Sequence, residues 1–243
     1  MSAEQPPSSA PPGPITSLDD PRALTILSTE HWSLLGARSL AYNEAFVRGG
    51  MFLTFLSMSF VALALLAQGM RFTDQFLTVA AIVLAFDLVI GVATYGRISG
   101  ANVDDLRALH GMARIRHAYL EAAPLVEPYF TTPTHDDVES VLLSYGKLPD
   151  GGVGQLAYAL TTSGGMIGLV VSMVGGVLAA VISLLFHAAD VAVWVGLAGG
   201  LVTFAVLVVL TFGTVPRAQQ SLAARFPAPG AISAAAKEAP PAP

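Results

Sequence analysis

Four long apolar runs dominate the pattern of the chain, at residues 50–70, 76–97, 156–186 and 191–215. Each is close to or above the ~20 residues that carry an α-helix across a bilayer core, so four transmembrane helices are expected. Within each pair the connection is short, Arg71-Phe-Thr-Asp-Gln75 in the first and His187-Ala-Ala-Asp190 in the second. Links of that length bring consecutive helices back antiparallel. The expected fold class is an all-α membrane protein of two transmembrane helical hairpins, with an N-terminal amphipathic helix and a cytoplasmic helical loop subdomain.

The flanking segments divide the chain further. Residues 1–19 are expected as a disordered tail and 216–243 as a largely disordered one, since both are rich in Pro, Ala and Ser and carry too little apolar bulk to offset the entropy of ordering. In 20–49, Asp20-Pro21 supplies an N-cap followed by proline at the first helical position. Leu24, Leu27, Leu35, Tyr42 and Phe46 then recur near helical spacing, on a helix that either lies on the inner leaflet or runs into the first span. Residues 50–97 form the first hairpin, 98–155 a helical segment and 156–215 the second hairpin. Within 98–155, Gly100-Ala-Asn-Val-Asp-Asp105 is expected to break the chain and place Asp104 and Asp105 in the first turn of a new helix, where the macrodipole favours carboxylates. That helix should stop before Pro124. Thr134-His-Asp-Asp137 resembles a capping box opening a helix that ends at Gly146, and Leu148-Pro-Asp-Gly-Gly152 is turn chemistry leading back to the membrane.

Charge orients this layout. Of the twelve basic residues only Arg71 falls at a hairpin tip; the rest lie in the termini or the central segment. The positive-inside rule therefore places both termini and residues 98–155 in the cytoplasm, in a multi-pass protein of the plasma membrane. With no basic region followed by an apolar core among the first forty-eight residues, the N-terminus is expected to be retained. A composition 53% hydrophobic and 12% charged, with mean hydropathy +0.63, excludes an ordinary soluble domain. The net charge of −5 argues against a nucleic-acid partner, and the absence of cysteine removes disulfides, thiolate metal sites and cysteine nucleophiles.

One residue stands out inside the spans. Asp87 is an isolated carboxyl near the middle of the second run, at a depth that costs roughly 2.5–3.5 kcal/mol on insertion scales. Ala80, Val83, Asp87, Gly91 and Thr94 share one small, partly polar helix face, so Asp87 should face protein. Counting from the span ends sets it level with Ser57, Ser59, Ser172 and Thr203, a candidate midplane polar layer. Two readings compete: a protonated carboxyl that ties helices together, and a proton or cation site. No span holds a Lys, Arg or His as counter-ion and no proline interrupts one, which favours the structural reading.

The third span repeats small residues at four-residue steps through Gly164, Gly168, Ser172, Gly176 and Ala180, and the fourth through Ala192, Gly196 and Gly200. Such stripes let helix backbones approach closely, and Gly164, Gly168, Gly176, Gly196 and Gly200 are the expected packing seam, within the chain or between copies.

Other chemistry is sparse. His110 and His117 are about 10.5 Å apart along a helix, too far to share an ion held at ~2 Å, and no metal site is expected. The glycine-rich Asp150-Gly-Gly-Val-Gly-Gln155 lacks the Lys and hydroxyl of a phosphate loop, and no nucleophile-elbow or zinc-protease pattern occurs. No catalytic residue or cofactor is expected. Trp32, Tyr42, Tyr119, Tyr129, Phe130 and Tyr145 give the cytoplasmic helices aromatic anchors, for packing among themselves or for a partner.

Leu27-Ser-Thr-Glu-His-Trp-Ser-Leu-Leu35, Tyr42-Asn-Glu-Ala45, Arg114-Ile-Arg-His-Ala-Tyr-Leu120 and His135-Asp-Asp137 together resemble uncharacterised four-span integral membrane proteins of actinobacteria. The resemblance implies the same hairpin–loop–hairpin layout and no particular activity. The expectation is a non-enzymatic membrane scaffold or interaction protein, in contact with lipid and with another copy or another membrane protein. A small channel or transporter using Asp87 is the alternative.

Overall fold

The computed structural model describes residues 14–145, 154, 160–220 and 223–229, with 212–220 as backbone alone. Among these residues the chain is all-helical: α1 (Pro21–Met70), α2 (Asp74–Ala122), α3 (Val138–Leu143), α4 (Ser163–Leu185) and α5 (Ala192–Gln220), with short 3-10 turns at Pro124–Tyr129 and Ala189–Val191. Four helical stretches, in α1, α2, α4 and Ala189–Thr211, are long and apolar enough to cross a membrane. The outer parts of the expected tails, residues 1–13 and 230–243, lie outside the described residues. So do the Gly146 helix stop, the 148–152 turn, most of the glycine-rich 150–155 stretch and positions 156–159 of the third run.

α1 starts where Asp20 and Pro21 predict. The Asp20 carboxylate accepts from the Arg22 amide, and proline occupies the first turn. The helix then runs fifty residues without a break, so the segment before the first span is continuous with it. At its end Arg71 turns the chain with φ 54°, and Thr73 caps α2 by accepting from the Phe76 amide.

α2 departs from expectation. It continues through Gly100 to Ala122, and Asp104 and Asp105 lie in its interior rather than in a first turn. The buried face explains why: Ala80, Leu84, Asp87, Gly91, Thr94, Ile98, Ala101, Asp105, Ala108, Met112 and Ile115 follow steps of four and three without interruption. On α1 the buried Ala45, Gly49, Phe52, Leu56, Ser59 and Leu63 keep the same rhythm. This is the repeat of two helices packed side by side at a shallow angle. A glycine inside a helix costs about 1 kcal/mol, which a seam of this length outweighs. The pairing is antiparallel: Leu34 covers Gly111, Ile98 lies beside Gly49, and Phe52 covers Gly91.

Burial of the most apolar window rises from 6% in the Ala189–Thr211 stretch through 22% in α1 and 33% in α2 to 44% in α4. α2 and α4 are therefore the centre, with α1 packed on α2 and α5 on α4. The glycine stripe divides its work. Gly164 and Gly168 face α2, where the Tyr95 ring lies over Gly168 and its hydroxyl reaches Thr211 of α5 at 2.6 Å. Gly176 faces Gly196 and Gly200, so this part of the seam is filled within the chain.

The capping arrangement at α3 also differs from the one expected. Asp137, not Thr134, is the N-cap, accepting from the amide and hydroxyl of Ser140 at 3.0 and 2.9 Å. α3 then seats Val141 against Leu106, Leu109 and Ala113 of α2 in a small second core. The expected N-terminal tail is ordered in its last part, where a turn at Ser17–Asp20 leads into α1.

A β-carbon on Gly176 would lie 2.7 Å from the Gly196 carbonyl oxygen, whereas one on Gly50 meets nothing within 4 Å. Gly176→Ala should destabilise the fold by about 1–3 kcal/mol through overpacking. Gly50→Ala should be neutral or stabilising by up to about 1 kcal/mol. Unfolding of the micelle-solubilised variants in denaturant measures both.

Candidate functional site

Beyond the apolar part of the seam, α1 and α2 continue side by side as a polar extension. Its first tie is Glu44 of α1, which accepts from Arg97 of α2 at 2.7 Å and from Arg48 at 3.0 Å. All three are partly exposed, so each pair contributes little. Further along, Asp105 occupies a seam position with none of its surface exposed. Its carboxylate accepts from Arg38 through Nε and, at 3.5 Å, through Nη2. The hydroxyls of Tyr42, at 2.9 Å, and Tyr145 donate to its second oxygen. Three segments thus meet on one carboxylate: α1 through Arg38 and Tyr42, α2 through Asp105, and the end of the α3 turn through Tyr145. Desolvation, together with the neighbouring negative charge, pushes the Tyr42 phenol up to about 12, and the same causes raise Tyr145, so both remain protonated donors at neutral pH.

A second buried carboxylate gathers the C-terminal segment. Asp136, also fully buried, accepts from Arg114 Nε at 2.6 Å and from the backbone amides of Arg225 and Phe226 at 2.9 and 2.7 Å. Its own amide donates to the Phe226 carbonyl at 3.2 Å. Arg114 Nη2 donates to the Ala223 carbonyl, and Asp137 accepts from the Ala228 amide. The Phe226 ring stacks on His117 at 4.3 Å, and the His135 ring lies 5.8 Å from that of His117. Residues 223–229 are therefore held as an ordered strap that bends at Arg225 and Phe226, where a disordered tail is expected from composition. Sequence reasoning missed it because Arg225-Phe226-Pro227 offers one aromatic in a Pro-Ala stretch, and the partner acids lie some ninety residues away.

Inside the apolar seam, the expected polar layer contracts to one pair. Ser59 donates to Asp87 Oδ1 at 3.0 Å, and Asp87 is fully buried with Oδ2 unpartnered. Ser57, Ser172 and Thr203 do not join it. Each donates to the carbonyl four residues back on its own helix, Leu53, Gly168 and Gly199 respectively, a bond that satisfies a hydroxyl in an apolar setting. Ser57 also points away from the bundle and is exposed. Of the small residues, Gly164 and Gly168 approach α2, and Gly176, Gly196 and Gly200 form the α4–α5 crossing.

The aromatic anchors separate into two groups. Tyr42 and Tyr145 are consumed at Asp105, while Trp32 and Tyr129 are 68% and 82% exposed. Leu125 beside Tyr129 is 89% exposed. No group of three or more His, Asp or Glu suited to a metal occurs among the described residues.

Desolvation pushes the Asp136 carboxyl up, but the Arg225 and Phe226 amides and the Arg114 guanidinium outweigh it and hold it below the ordinary value of 3.8. Asp137 is lowered in the same way, burial opposing it while the amides of Ser140 and Ala228 prevail. A depressed carboxyl contributes its stabilisation above its unfolded value and loses it as pH falls through the folded one. The strap should therefore stay docked from pH 8 to about 5 and release below the ordinary aspartate range. A Phe226→Trp fluorescence titration follows this. Asp136→Asn should speed exchange of the 225, 226 and 228 amides about 10–100-fold at pH 7, the scale of a charge-assisted hydrogen bond.

No protein-family model, curated protein or solved structure matches the chain.

Proposed function

We propose that this chain is a non-enzymatic scaffold of the plasma membrane that presents a rigid helical platform to a protein partner on the cytoplasmic side. In this reading the two packed pairs are transmembrane hairpins, both termini are cytoplasmic, and the paired extensions of α1 and α2 stand out from the inner leaflet. The basic asymmetry of the sequence supports that orientation.

One observation carries the proposal. Leu125 and Tyr129 are almost fully exposed on an ordered turn at the far end of α2. The twenty-five residues from 98 to 122 put that turn about 37 Å beyond the span along the helix axis, too far for either side chain to touch lipid when the extension stands out from the leaflet. Trp32 is exposed on α1 about 27 Å beyond its own span. Exposed aromatic and aliphatic groups on a rigid support are what a protein interface uses as anchors. The polar groups behind them serve support: the lone pairs of Asp105 and Asp136 are spent on fixing helices and strap. The glycine crossing of α4 is filled by α5, which moves the partner-binding expectation from the seam to the protruding end.

A second reading, a small channel or transporter for a proton or cation, draws on the unpartnered Asp87 oxygen. Against it, Asp87 lines neither the cavity of about 630 Å³ between α1, α2 and α4 nor the one of about 590 Å³ beside the α4–α5 crossing.

A photoreactive residue at position 125 should give discrete protein adducts in intact cells, and Tyr129→Ser should reduce them about tenfold as expected for loss of an interface anchor. Lipid adducts alone, or none, would count against the scaffold. Proton or cation flux through reconstituted protein that vanishes in Asp87→Asn would establish the alternative.

A further inference from the structure

Where the apolar runs of α1, α2 and α4 reach their common end, the three helices leave a cavity of about 630 Å³. α1 and α4 flank α2 and touch each other sparsely, so the space opens sideways between them, toward whatever surrounds the spans. Its chemistry is graded. The deeper wall is apolar, with Leu53 of α1 and Met166, Ile167 and Val170 of α4. The outer rim carries Asn102 of α2 and Ser163 at the start of α4, beneath Tyr42 and Tyr145. Among the described residues, no Asp, Glu, Lys, Arg or His lines it. Two arginines of the flanking helices are already paired: Arg38 with Asp105 behind the two tyrosines, and Arg97 with Glu44.

The geometry points to a binding site for an uncharged lipid, one whose head group carries hydroxyls and no phosphate. The position selects an amphiphile, because a sideways-opening cavity at the end of the apolar runs meets acyl chains below and water above. The volume suits one small ligand or chain, within the 300–1,000 Å³ range of small-molecule sites. The rim selects the head group. Phenol oxygens that donate to Asp105 keep lone pairs free to accept, and the Asn102 amide and Ser163 hydroxyl both donate and accept. A phosphate drawn into this rim would leave water without meeting a cation among the described lining residues, an unfavourable exchange that a neutral hydroxyl avoids. This site is independent of the protein-binding tip, which lies at the other end of the extension.

The wall accepts an added β-carbon without a clash. A β-carbon at Gly164 makes only ordinary contacts, 3.7 Å to Ile98 and 3.9 Å to Asn102, and one at Gly49 likewise, 3.8 Å to Ile167. Gly164→Ala should therefore be silent, while Gly164→Leu or Gly49→Leu occupies the cavity from opposite walls. The full chain is reconstituted in phosphatidylcholine vesicles containing a photoactivatable diacylglycerol, or a phosphatidylglycerol probe with the same acyl chains. The diacylglycerol is expected to label peptides spanning residues 46–53 and 163–170 at least about tenfold more strongly than the phosphatidylglycerol, a gap that head-group recognition can supply. Unlabelled diacylglycerol should compete, and both leucine variants should lose the signal. Equal labelling by the two probes, labelling that unlabelled diacylglycerol does not reduce, or full labelling in a folded Gly164→Leu protein would overturn the site. If the leucine variants do not fold, the probe comparison and the competition on the unaltered chain decide alone.

Discussion

A carboxylate stripped of all its exposed surface has to be answered by its neighbours, and at Asp105 the answer comes from three segments at once. Removing such a charge from water costs several kcal/mol, recovered only if its lone pairs are met with good geometry. Arg38, Tyr42 and Tyr145 meet them. Because Asp105 sits on the same buried stripe that packs α2 on α1, that requirement fixes the register of the whole seam. With Arg38 facing Asp105, Phe52 falls over Gly91 and Ser59 reaches Asp87. The apolar and polar halves of the α1–α2 pair are one continuous construction.

The rest of the molecule hangs on that pair. Tyr145 brings the end of α3 to Asp105, while Val141 seats α3 on Leu106, Leu109 and Ala113. This positions Asp136 and Asp137 to take the amides of Arg225, Phe226 and Ala228. The strap gives the α5 end of the chain a hold on the extension. Within residues 192–211 of α5, only Ala192 and Leu207 are buried, so its other ties, the glycine crossing and the Tyr95–Thr211 hydrogen bond, come from a single side. The arrangement has a hydrophobic interior shared by four helices and an extension ordered by buried charge.

The four spans were legible in the sequence because length and apolar continuity are local properties, and a bilayer-length run admits few other structures. The start of α1 was legible for the same reason, since Asp20-Pro21 acts within one turn. The continuity of α2 was readable in principle. The face of Ala80, Val83, Asp87, Gly91 and Thr94 continues at the same steps through Ile98, Ala101 and Asp105, but Gly100 taken locally reads as a break. Packing along a seam outweighs the propensity of one glycine. Depth alone proved a poor guide to polar pairing: counting from the span ends sets Ser57, Ser172 and Thr203 level with Asp87, yet each hydroxyl satisfies itself on the backbone of its own helix. The partners of Asp105 and Asp136 lie between about twenty and ninety residues away, and no local pattern records such distances. The strap was obscured for the same reason, because its composition is that of a disordered tail until the acids that hold it are placed beside it.

The claim that Asp105 and Arg38 are coupled across the seam is most directly tested by a double-mutant cycle on the full chain in micelles, read as unfolding free energy. Asp105→Asn alone is predicted to destabilise by about 3 kcal/mol, because it leaves Arg38 without its buried partner. Combined with Arg38→Gln, the loss should fall short of the sum of the two single losses by about 1–3 kcal/mol. Losses that add to within about 0.5 kcal/mol would show the two residues to be independent and would contradict the account.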